Sequence, residues 1–105
     1  MSSFVKVSSR RELPEGGKKL AEVDGRPIAL FNVGDKFYAI DDVCTHDGGP
    51  LAEGQLIGCE IMCPRHGARF DVRTGKALCM PAVEPVAVHA TEVRGDDVYV
   101  ALSDD

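Results

Sequence analysis

Two short boxes constrain this chain more than any other feature: Cys44-Thr45-His46 and, after sixteen intervening residues, Cys63-Pro64-Arg65-His66. Each box offers one thiol and one imidazole. Between them, Gln55-Leu56-Ile57 and Glu60-Ile61-Met62 flank Gly58, so the two boxes are expected to face each other across a hairpin. Pro64 stiffens the second box, and Gly48, Gly49 and Gly67 let backbone come close to a bulky group.

Few metal centres want this symmetry. A mononuclear zinc site gathers four ligands around one point, usually with sulfurs paired in one box and imidazoles in another. A 2Fe–2S cluster with two cysteines on one iron and two histidines on the other takes one of each from each loop. Two thiolates leave such a core formally neutral when oxidised, whereas four leave it doubly negative, so the mixed set accepts an electron more easily.

The rest of the chain bounds the setting. Its 105 residues are expected to form a single domain, 1–105, with one modest core. The net charge of −5 comes with scattered Lys and Arg and no basic run, which argues against nucleic acid as a partner. The acidic excess serves solubility, and it also suits a basic docking face. Met1-Ser2-Ser3-Phe4-Val5-Lys6 lacks the apolar stretch of a signal peptide, and no apolar run is long enough to span a membrane. Four cysteines in such a chain point to metal in a reducing compartment, so the cytoplasm is the expected location.

Short apolar runs alternate with turn signals, the pattern of an all-β domain, and nothing resembles a helix longer than a turn or two. Phe4-Val5-Lys6-Val7 reads as a first strand. Lys19-Leu20-Ala21-Glu22-Val23 and Ile28-Ala29-Leu30-Phe31-Asn32 flank Asp24-Gly25, and Phe37-Tyr38-Ala39-Ile40 follows Gly34-Asp35. A polar, glycine-rich loop over 41–50 carries the first box. The second box leads to Ala68-Arg69-Phe70-Asp71, a turn at Arg73-Thr74-Gly75, and Lys76-Ala77-Leu78. A proline-stiffened loop over 80–85 precedes an alternating strand from Val86, then a turn at Gly95-Asp96 and the last strand, Val98-Tyr99-Val100-Ala101-Leu102. The expected organisation is a basal β framework with a smaller unit, about 42–78, inserted into it.

These residues carry a resemblance. The C-x-H box, the spacing and the C-x-x-H box look like the Rieske motif, and His66-Gly67, Phe70-Asp71, Thr74-Gly75 and Met80-Pro81-Ala82 extend the likeness along nearly the whole chain. The chain is most similar to small Rieske ferredoxins that serve ring-hydroxylating oxygenases. The resemblance implies an antiparallel β sandwich or barrel with an inserted cluster-binding subdomain and one 2Fe–2S cluster. It implies Cys44 and Cys63 on the inner iron, and His46 and His66 on the outer iron. It also implies an electron-transfer protein rather than an enzyme, taking electrons from a flavin-dependent reductase, with the acceptor docking near His46 and His66.

The departures sharpen this reading. Rieske proteins of cytochrome bc complexes have an extra cysteine in each loop, joined as a disulfide, where this chain has Gly49 and Arg65. They also place serine and tyrosine hydroxyls on the cluster, where this chain has Ala68 and Phe70. Each absent donor removes stabilisation of the reduced state. A low potential is expected, near the bottom of the roughly −150 to +300 mV range, and nearly flat with pH around neutrality.

Other residues have blander readings. Cys59 and Cys79 are expected to be small buried hydrophobes. His89, opposite Val88 on its strand, is expected at the surface. Asp47, Arg65 and Arg69 flank the boxes and suit ion pairs or partner docking. Met80 and Pro81 are expected to cover the cluster. Glu53 and Asp71 offer two carboxylates but no accompanying nucleophile or phosphate-binding pattern.

The leading function is a one-electron carrier. The alternatives are the Rieske-like small subunit of an assimilatory nitrite reductase, a ferredoxin beside iron–sulfur assembly machinery, and a zinc-bound interaction module. An oxygenase catalytic subunit is not expected, because nothing remains beyond this domain to hold mononuclear iron.

Overall fold

A computed structural model describes residues 4–43, 50–64, 67–80 and 84–103. Ten strands and no helix occur among them. In chain order they are β1 (Val5–Ser9), β2 (Lys18–Val23), β3 (Arg26–Val33), β4 (Lys36–Asp41), β5 (Gln55–Ile57), β6 (Glu60–Met62), β7 (Arg69–Asp71), β8 (Ala77–Cys79), β9 (Val88–Arg94) and β10 (Asp97–Ala101).

Two turns set the first meander. Asp24 and Gly25 have φ of 53° and 81°, and Gly34 and Asp35 have φ of 60° and 69°. Positive φ at both central residues is the two-residue turn whose twist matches its flanking strands. It puts Val23 opposite Arg26 and Val33 opposite Lys36. All ladders are antiparallel, in the order β1-β10-β9-β4-β3-β2 for a six-stranded sheet and β5-β6-β7-β8 for a four-stranded one. The outer strands β1 and β2 also meet, and Lys19 Nζ donates to Ser8 Oγ at 3.3 Å, so the larger sheet nearly closes on itself.

The run 28–31 is apolar without alternation, and the structure shows why. Ile28 and Leu30 point into one core with Val23, Phe37, Val98 and Val100. Ala29 and Phe31 point the other way, into a second core with Ile40, Ile61, Phe70 and Val86. A strand covered on both faces has no solvent side to mark with polar residues. The hairpin of β3 and β4 is thus the wall between the core of the larger sheet and the core the two sheets share. Cys63, Ala68 and Phe70 belong to the shared core.

Three expectations are corrected. His89 is buried, 3% exposed, rather than at the surface. Alternation counts histidine as polar, but here both ring nitrogens have partners, Asp41 and Ser103, which makes burial tolerable. Cys79 is exposed and Cys59 half-buried, so neither is a fully buried core residue. They sit at opposite ends of β7, Cys79 opposite Arg69 and the Cys59 carbonyl accepting Val72 N–H, and both are free thiols.

Candidate metal centre

Of the four expected ligands, Cys63 is described; Cys44, His46 and His66 lie outside the described residues. Cys63 follows β6 directly. Its backbone N–H donates to the Ala68 carbonyl at 2.6 Å, and its own carbonyl accepts the Gly67 N–H at 3.1 Å. These two bonds tie the second box into a closed turn whose ends continue the β6–β7 pairing, Met62 opposite Arg69.

Cys63 is 1% exposed, and its thiol is not in a disulfide. An open groove of about 620 Å³ borders the same turn, touching Cys63, Pro64, Gly67, Gly54 and Lys18. A free thiol held away from bulk water, on backbone hydrogen-bonded at both its N–H and its carbonyl, suits a soft metal ligand. Among the described residues no three metal-binding side chains converge, as three of the expected four are outside them.

The surroundings of Cys63 are set by packing. Ala68 and Phe70 are both fully buried beside it, and neither carries a hydroxyl. Gly54 lies against the Met62 backbone so closely that a Cβ there would fall 1.9 Å from the Met62 carbonyl oxygen. Only a residue without a side chain fits this approach.

The first box is held at its stem. Asp41 N–H donates to the Ala87 carbonyl and Asp42 N–H to the Pro27 carbonyl, at 3.0 and 3.1 Å. The Asp42 carboxylate accepts the Ala52 N–H at 2.6 Å, which joins the two ends of the loop that contains Cys44 and His46. Sequence reasoning placed Asp41 and Asp42 in a polar loop and missed this clamp.

The remaining candidates distribute as follows. Arg69 pairs with Glu60 at 3.5 Å, within the small sheet, while Asp47 and Arg65 are outside the described residues. Asp71 is engaged by Arg73, whose guanidinium and backbone hydrogen bonds hold its carboxyl below the usual carboxylate range against the opposing effect of burial. Glu53 is exposed at the groove. Met80, expected as cover, is 74% exposed, and Pro81 is outside the described residues. Cys79 Sγ lies 3.7 Å from the Gly67 carbonyl. No helix long and apolar enough to cross a membrane occurs among the described residues.

Known proteins share this fold. A model of the Rieske [2Fe-2S] domain family matches residues 3–90. The 3-phenylpropionate/cinnamic acid dioxygenase ferredoxin subunit of Escherichia coli (strain K12) is 43% identical over 93 residues, which is 87% of this chain and 86% of that protein. The ferredoxin of carbazole 1,9a-dioxygenase from Nocardioides aromaticivorans IC177 superposes with a TM-score of 0.93 at 35% identity, over 96% of this chain and 99% of the other. A chain in a complex of reduced oxygenase and oxidised ferredoxin of carbazole 1,9a-dioxygenase gives a TM-score of 0.91 at 38% identity, over 97% and 95%. The chain belongs to the Rieske [2Fe-2S] domain family, as an electron-transfer protein of the ferredoxin type with one 2Fe–2S cluster.

Proposed function

We propose that this chain is a low-potential carrier that takes single electrons from a flavin-dependent reductase and passes them to an oxygenase. Cys44 and Cys63 are the thiolate ligands, His46 and His66 the imidazole ligands. The observation that carries this reading is Cys63 itself: a free, buried thiol on a turn closed by two backbone bonds, beside an open groove. The names of similar proteins support the acceptor, since one is a dioxygenase ferredoxin subunit and another is a ferredoxin seen with its oxygenase.

The bound cluster supplies one-electron oxidation and reduction. The protein keeps water from the Cys63 thiolate and sets what else can donate to the site. Ala68 and Phe70 fill the wall beside Cys63 without a hydroxyl, so added negative charge finds no donor there. That supports a potential near the bottom of the family range. Partner docking belongs near His46 and His66, in a small transient interface. We assign residues 42–78 as the cluster-binding unit within the single domain, and the cytoplasm as the compartment, which suits the three free cysteines described.

The test is spectroscopic. Purified protein is expected to be red-brown, with a rhombic EPR signal of low average g after reduction, and Cys63→Ser is expected to abolish it. A colourless protein holding one zinc overturns the reading. A clearly positive midpoint in film voltammetry at neutral pH overturns the low-potential part alone.

A further inference from the structure

The strand leading into the first box ends on a polar network that lies outside the ligand set. Asp41, the last residue of β4, stands three residues before Cys44. Its carboxylate takes Arg26 Nε and Nη2 at 2.9 and 2.7 Å, and the oxygen facing Nε also lies 2.8 Å from His89 Nε2. The His89 side chain has no solvent exposure. Ser103 donates its backbone N–H to His89 Nδ1 at 3.1 Å. A backbone amide only donates, so Nδ1 is the acceptor nitrogen and Nε2 carries the hydrogen that Asp41 accepts. Burial pushes the Asp41 carboxyl up, but hydrogen bonds from Arg26 and His89 and the charge of Arg26 outweigh it and hold the group below the usual range.

Such a network is an expensive way to fill space. Apolar residues of similar size would close β4 against β9 without desolvating charged groups, and often with no loss of stability. The best-attested use of a directional polar network is to fix a single register. It acts where register matters to the site. β4 pairs with β9 only at Ala39–His89 and Ile40–Val88. The next residue, Asp41, takes Arg26 from β3 and His89 from β9 at once. Beyond Asp42 the chain enters the first box.

We infer that Arg26, Asp41 and His89 are positioning residues for the cluster: they lock the end of β4 between β3 and β9 and so set the point from which the Cys44 box departs. This rests on Cys44 being a ligand. Groups that orient metal ligands from outside typically alter affinity by about 10–100-fold when removed.

The test compares cluster-loaded wild type with Asp41→Asn, His89→Gln and Arg26→Gln. Thr91→Val is the control. Thr91 Oγ1 donates to the Phe37 carbonyl at 2.7 Å, linking the same two strands at the end away from the box. The readouts are cluster half-life under an iron chelator, EPR line width of the reduced protein, and melting temperature. In each network variant the half-life is expected to shorten about tenfold and the EPR signal to broaden. Thr91→Val is expected to melt lower while keeping the wild-type line shape and half-life. Wild-type half-lives and line shapes in the network variants overturn the inference, and so does equal loss in Thr91→Val, which would reduce the network to plain stability. Arg26, with its side chain 41% exposed, supplies a variant that folds if the other two substitutions do not. Wild type without a cluster signal would instead sink the ligand assignment, and this inference with it.

Discussion

Gly54 sits with its Cα against the Met62 carbonyl, where a Cβ would approach the oxygen to 1.9 Å. Met62 is the residue before Cys63, and no flexible side chain is involved, so the backbone of one segment must yield. Gly54→Ala is expected to cost about 1–3 kcal/mol, as overpacking does, and to lower iron content per chain. Thermal melts with parallel iron analysis check both. A full iron complement with an unchanged melt would mean that the contact relaxes without disturbing Cys63.

The Asp42 carboxylate and the Ala52 amide, 2.6 Å apart, join the ends of the first ligand loop. A hydrogen bond to a charged group contributes about 1.5–3 kcal/mol. Asp42→Ala is expected to lose an amount in that range and to release the cluster faster, whereas Asp42→Asn keeps an acceptor oxygen and recovers most of both. Chelator-challenge kinetics on the two variants make the comparison.

Phe70 is fully buried in the core that also contains Cys63. Phe70→Ala is expected to cost about 3–5 kcal/mol through the cavity it leaves, measured by denaturant unfolding. Phe70→Tyr and Ala68→Ser add hydroxyl donors in the same wall, and voltammetry is expected to show a rise in midpoint potential with the double variant above either single one. No rise would mean that these hydroxyls do not reach the cluster.

Acid stability follows from Asp71. Arg73 holds its carboxyl below the ordinary value of 3.8, so the folded state binds its proton more weakly than the unfolded chain does. The sign is that of a depressed carboxylate: the stabilisation is complete above the unfolded value and is lost as pH falls through the folded one. Asp71→Asn is therefore expected to flatten the decline in stability below about pH 4. The Arg73 side chain is 53% exposed, so the effect is modest and weakens with salt. Melting curves from pH 2 to 7 at two salt concentrations test it.

Much of the frame is legible in the chain because its signals are local. Asp24-Gly25 and Gly34-Asp35 specify turns through the positive φ that Gly and Asp tolerate, and the strands beside them follow within a residue or two. The boxes are legible for the same reason: ligand type and spacing are properties of a short segment, and they identify the family that the comparisons show. Periodicity reaches less far. It puts His89, opposite Val88, at the surface, yet His89 is buried. It cannot tell that β3 is covered on both sides, because that depends on a sheet formed some thirty residues later.

By itself, then, the sequence determined an all-β chain, two Cys/His boxes and residues without hydroxyls at 68 and 70. Only the tertiary structure decided that His89 lies inside, that Asp41 joins it to Arg26, and that Asp42 closes on Ala52. The physical reason is that burial of a polar group depends on its partners. His89 finds one forty-eight residues away, and no local pattern records that meeting.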